Sequence, residues 1–274
     1  MTFWQDVLRF LDTSMTEPQP YGAYHLIWFA MSFVAAIVLC LWHKHSGSEK
    51  RVRRIVAITA IIVIVMEIYK LINFSFEYEN GVSFEFQWYA FPWQFCSTPM
   101  YVGALTMLFR KGKIHDSLCA YLATYAMFAG LIVMILPTTV FTETVGINIQ
   151  TMFCHGSMIT IAIYLMYTGY VKLEHKTILK ALPVFAVTLG VAMILNECAY
   201  FSGLLETHKF NMFNISRHFT SEFPVFSTIQ PLVPYVVSLV LYIGVFTLAA
   251  YVMLLIGIVC KKIAGRKNAQ KVSV

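Results

Sequence analysis

Charged side chains are scarce in this sequence: they make up 12% of its 274 residues, against 58% apolar ones. A water-soluble domain carries roughly 25% charged residues, and a mean hydropathy of +0.68 leaves more apolar surface than such a domain could hide. That excludes an ordinary cytosolic enzyme, a disordered chain and a nucleic-acid-binding module. Cysteine is also too sparse for a disulfide scaffold, with six residues that fall mostly inside apolar runs. No Cys-x-x-Cys or His-x-x-x-His spacing calls for a metal, and nothing in the sequence calls for a cofactor. Internal repeats and low-complexity segments are lacking. So is the basic start of a signal peptide, since Asp6 and Asp12 stand there instead.

What the sequence has is long apolar stretches. About 20 such residues cross roughly 30 Å of hydrocarbon as a helix. Seven stretches qualify, at about 22–42, 53–74, 88–109, 117–136, 147–170, 177–201 and 231–259. Lengths near 20, without polar/apolar alternation, favour helices over a barrel. The sequence therefore predicts an all-α fold, a polytopic transmembrane helical bundle forming one membrane domain. Phe3, Trp4, Val7, Leu8 and Leu11 recur at helical spacing, so residues 1–21 read as an interfacial segment. Residues 202–230, with His208 and His218, read as an outer loop. Sixteen of the 20 basic residues lie between spans 1 and 2, 3 and 4, 5 and 6, or in the C-terminal tail. By the positive-inside rule the N-terminus is then outside and the C-terminus cytoplasmic.

An ionisable group inside a span is costly and marks a candidate site. The polar residues in the spans are His25, Glu67, Lys70, Gln94, Cys96, Asn148, Gln150, His155, Asn196 and Glu197. At about 1.5 Å per residue, Glu67 lies roughly 21 Å up span 2, while Cys96 and His155 each lie roughly 12 Å below the outer surface. The group gathers in the outer half, which predicts a pocket opening to the outer leaflet. Glu67 and Lys70 are three apart on one helix face and can simply neutralise each other. Cys40, Cys119, Cys154 and Cys260 read as packing residues, and His43, His45, His115 and His175 as solvated in basic loops.

Pro92 and Pro99 bracket Cys96 within Phe91-Pro92-Trp93-Gln94-Phe95-Cys96-Ser97-Thr98-Pro99. Each proline removes a helical hydrogen bond, so a kink is expected beside the thiol. A nucleophilic thiol needs a base. His155, at matching depth, can take its proton and return it to a leaving alkoxide. Asn196, Glu197 or Glu67 can orient the imidazole, and Gln94 or backbone N–H groups freed at the kink can bind a developing oxyanion. His25 joins the group from span 1. The substrate this implies is an acyl ester of a membrane lipid, passing through a thioester.

At these residues the chain resembles the YwaF-like integral membrane proteins of bacteria, which are similar to a eukaryotic family of polytopic phospholipid acyltransferases. More distantly it resembles the androgen-induced membrane hydrolases. The resemblance rests on His25-Leu26, Glu67, Pro92-Trp93-Gln94-Phe95-Cys96-Ser97, His155-Gly156 and Asn196. It implies that Cys96 accepts the acyl group, that His155 is its base, that membrane lipids are the substrates, and that the setting is a bacterial plasma membrane. Gln94 stands where that family carries a histidine, and Glu197-Cys198-Ala199-Tyr200 follows Asn196 where a second asparagine beside a tyrosine is expected. Three other readings share the polar cluster: a lipid ester hydrolase, a transporter or channel with an outer vestibule, and a seven-span receptor.

Overall fold

The structure, a computed structural model, describes residues 2–79, 81–137, 140–203 and 210–272; at 45–46 and 265–272 it describes the backbone alone. The chain is almost wholly helical among these residues. Helix α1 (Phe3–Leu11) is followed by α2 (Ala23–Ser46), α3 (Glu49–Ser75), α4 (Thr98–Leu108), α5 (Lys113–Ala123), α6 (Tyr125–Ile135), α7 (Val145–Tyr167), α8 (Thr177–Phe201), α9 (Pro224–Ile229) and α10 (Tyr235–Val272). Phe76–Glu77 (β1) and Ser83–Phe84 (β2) pair antiparallel in a short hairpin after α3. His208 and Lys209 of the outer segment lie outside the described residues.

Among the described residues six helical stretches are long and apolar enough to cross a membrane. Among them α5–α6 and α7 are buried over 72% and 67% of their most apolar windows, against 22% for α2, α3 and α10. The bundle is therefore built around α5–α6 and α7, while the others turn broad apolar faces outward. Glycine sets the closest approach at its centre. A Cβ on Gly130 of α6 would meet the His155 carbonyl of α7, and one on Gly156 would meet the Ser32 hydroxyl of α2.

Two stretches expected as single helices are broken. Residues 88–109 form a 3-10 turn at Trp88–Ala90, an irregular run, and then the 11-residue α4. The kink expected beside Cys96 is thus a full break. Pro92 cannot donate within a helix, and Pro99 suits only the first turn of a new one. The second break falls at Thr124, where the backbone leaves helical geometry and Oγ1 donates to the Ala120 carbonyl at 2.7 Å. Helix α4 runs antiparallel to α3, as the approach of Gly103 to Ala60 and the packing of Met100 with Val63 show.

The two ends of the bundle differ. One collects the basic loops after α2, α4 and α7. The other carries the hairpin, α1 and the 210–232 segment. His115, expected in solvent, is in fact buried at the basic end. It lies one turn into α5, with Nδ1 2.7 Å from the Phe109 carbonyl and Nε2 2.8 Å from the Tyr170 hydroxyl.

Candidate active site

Most polar side chains near the loop-rich end are consumed by backbone. Asn196 of α8 donates to the Met212 carbonyl at 3.0 Å and accepts from the Met212 N–H at 2.7 Å. Gln94 does the same across the break, donating to the Asn211 carbonyl at 3.2 Å and accepting from the Phe213 N–H at 3.0 Å. Together they hold the 211–213 strip, where Phe213 and Asn214 adopt left-handed backbone. Asn148 clamps Thr142 in the same two-bond manner. His25 accepts from the Tyr21 N–H at 3.1 Å and lies 2.9 Å from the Met134 carbonyl, so both ring nitrogens are engaged. Glu197 faces a half-exposed ion pair with Arg217 at 2.7 Å and His218 at 3.2 Å.

The N-terminal segment closes the same end over α3 and α7. Asp12 accepts from Tyr78, Thr144 and Asn73 at 2.9, 3.0 and 3.2 Å. The Tyr69 hydroxyl donates to the Leu11 carbonyl at 2.6 Å. The hydrogen bond from Tyr78 to Asp12 raises the phenol's pKa, with burial adding to it.

A second set of polar groups lies deeper. Glu67 and Lys70 of α3 form an ion pair, and Gln150 of α7 donates to the other Glu67 oxygen at 2.9 Å. Cys96 sits in the turn preceding α4, next to Ser97, whose side chain caps no amide of that helix. Lys70 and Glu67 lie within electrostatic range of the Cys96 sulfur, and the Ser97 side chain is placed to hydrogen-bond it. Cys154, Tyr121 and Tyr242 are in range of the same sulfur.

His155 is fully enclosed by α7 and its neighbours. Its Nδ1 is 2.7 Å from the Thr151 carbonyl, whereas its buried Nε2 has no hydrogen-bond partner among the described residues. The buried Tyr242 hydroxyl shares that condition. Lys70 is the charge that reaches both His155 and Cys96. An apolar cleft of about 210 Å³ opens between α2, α3 and α7, lined by Trp28, Ser32, Gly156 and Thr160.

Of the residues singled out in the sequence, the structure places Glu67 in a group with Lys70 and Gln150, Cys96 at the helix break and His155 inside the bundle. It ties His25, Gln94 and Asn196 to backbone and leaves Glu197 at the surface. Three contributors carried weaker sequence signals. Lys70 read as a neutralising partner, Gln150 as one polar residue among several, and Tyr242 drew no reading at all. Only the 3.6-residue period of α10 would have aimed Tyr242 inward. Among the described residues no group of three His, Cys, Asp or Glu side chains is placed to hold a metal ion.

No curated protein and no solved structure matches the chain. The model of the TMEM164 family matches residues 20–256, from the turn before α2 into α10, and the protein therefore belongs to the TMEM164 family, a family of membrane proteins.

Proposed function

We propose that this protein is a lipid acyl-transfer enzyme that works through a thioester at Cys96 with His155 as general base. The reading rests on a thiol placed at a helix break, Cys96, and on a buried imidazole, His155, whose Nε2 has no hydrogen-bond partner among the described residues. A buried polar atom without a partner is expensive, and a substrate or a transferred proton would supply the missing partner. The likeness of the Cys96 and His155 motifs to YwaF-like proteins and cysteine-dependent acyltransferases supports the same assignment.

In this scheme the Cys96 proton passes to His155 Nε2 and the thiolate attacks the ester carbonyl of a membrane lipid. The C–O bond breaks, and the departing alkoxide takes the proton back and leaves as the lysolipid. A hydroxyl acceptor then attacks the thioester and gives its proton to His155; the C–S bond breaks, the acyl chain leaves as a new ester, and the Cys96 thiolate takes the proton back from His155. If water is the acceptor, the enzyme is a hydrolase. Lys70, the first turn of α4 and the Tyr242 hydroxyl offer positive potential to the oxyanion. The apolar cleft between α2, α3 and α7 suits an acyl chain. Gln94 and Asn196 act as positioning residues that hold the 211–213 strip over the thiol.

The chain crosses the membrane seven times in this reading, with 88–108 as a broken crossing. Its basic end faces the cytoplasm and its N-terminus lies outside. Purified protein incubated with phospholipid bearing a traceable acyl chain is expected to form an adduct released by neutral hydroxylamine. Cys96→Ala is expected to abolish that adduct while leaving the melting temperature in place. An adduct of undiminished size in the variant would remove Cys96 from the chemistry.

A further inference from the structure

The basic end of the bundle holds a second cavity, far along α3 and α4 from Cys96. It encloses about 530 Å³ between the starts of α3, α5 and α8 and the loops after α4 and α7. Its wall carries five cations, Arg53, Arg110, Lys111, Lys172 and Lys180, against two carboxylates, Glu49 and Asp116. Asp116 is partly matched by Lys180 at 4.0 Å. Among the described residues, Arg53, Arg110, Lys111 and Lys172 make no ion pair, although they crowd one cavity. Like charges gathered without ion-pair partners repel one another, and an anion between them relieves that repulsion.

The site is ordered from behind. Arg53 and the Tyr170 hydroxyl lie in the same cavity wall. That hydroxyl lies 2.8 Å from Nε2 of the buried His115, whose Nδ1 lies 2.7 Å from the Phe109 carbonyl. With Nδ1 as the donor, Nε2 accepts from Tyr170, and the phenol oxygen stays free to accept from Arg53. This relay fixes the Tyr170 phenol in the cavity wall, where its oxygen can accept a hydrogen bond from a guanidinium. The two bordering loops turn at Gly112 and Gly169, which hold φ of 90° and 71°. Side chains rarely adopt those values. Helices α5 and α8 enter the cavity with no side-chain cap, so their first amides add positive potential.

We propose that this cavity binds a phosphate-ester anion, as a phosphorylated lipid headgroup of the adjacent leaflet or as a soluble phosphate ester. The volume suits a headgroup, and basic pockets between membrane helices hold such groups. The site does not depend on the acyl-transfer assignment, which concerns the other end of the bundle.

The test places purified full-length protein in phosphatidylcholine nanodiscs with and without phosphatidic acid, and reads bound lipid by native mass spectrometry. The wild type is expected to retain phosphatidic acid in preference to phosphatidylcholine. Arg110→Gln with Lys172→Gln, both at exposed positions, is expected to weaken that retention by about thirtyfold. Lys261→Gln with Lys262→Gln, exposed on α10 outside the cavity, is expected to leave it unchanged. Displacement by glycerol 3-phosphate would identify soluble phosphate esters as ligands, and resistance to it would assign the lipid headgroup. Equal retention by wild type and cavity variant would overturn the proposal, as would equal loss in the α10 control. Should the double variant fail to fold, Lys111→Gln alone carries the test, with an expected loss of about fivefold.

Discussion

The loop-rich end and the interior of the bundle use the same polar residue types differently. At the loop-rich end Asn196, Gln94 and Asn148 each give one donor and one acceptor to a strip of backbone, and His25 spends both nitrogens on its neighbours. Irregular backbone is tolerated at membrane depth only where its N–H and C=O groups find such partners. These side chains are the reason the 211–213 strip and the 91–97 break can exist there. Inside the bundle, Glu67, Lys70 and Gln150 form a closed group. Among the described residues His155 Nε2 and the Tyr242 hydroxyl have no hydrogen-bond partner. Committed polar atoms hold shape, and uncommitted ones are available to a substrate.

That contrast can be broken by substitution. The largest structural effect is expected from Glu67→Gln, which strands the Lys70 charge inside the bundle and should cost about 3–5 kcal/mol. Thermal unfolding in detergent measures it, and Glu67→Gln with Lys70→Met should recover most of the loss. Asn196→Ala comes next. It leaves the buried N–H and C=O of Met212 unpaired and should cost about 2–4 kcal/mol, with faster proteolysis of the 210–223 segment as a second readout. The smallest effect belongs to Glu197→Gln, because its partners Arg217 and His218 sit at a half-exposed surface. Its cost should stay below about 1 kcal/mol and shrink further in high salt. A Glu197 effect as large as that of Asn196 would erase the distinction between clamp and rim.

The apolar runs made the membrane class and most helix positions legible, since α2, α3, α7 and α8 overlap the stretches read at 22–42, 53–74, 147–170 and 177–201. The stretch at 88–109 was harder, because hydropathy counts apolar residues without asking whether their amides can bond. Two prolines seven residues apart marked a disturbance, but whether it bends or breaks the helix depends on partners far away in sequence. Gln94 and Asn211 are 117 residues apart. For the same reason depth could place Cys96 and His155 at one level but could not say which amides were already occupied by loops. His115 was misread because its sequence neighbours are basic, whereas its ring turns inward to Tyr170, 55 residues on.

The most direct test of the division between committed and uncommitted groups is His155→Gln, followed by two readouts on one preparation. With Nε2 unpartnered, the melting temperature should stay close to wild type, while formation of the hydroxylamine-labile adduct should slow by about a hundred- to ten-thousand-fold. A variant that melts several degrees lower yet forms the adduct at the wild-type rate would contradict the account and make His155 a packing residue.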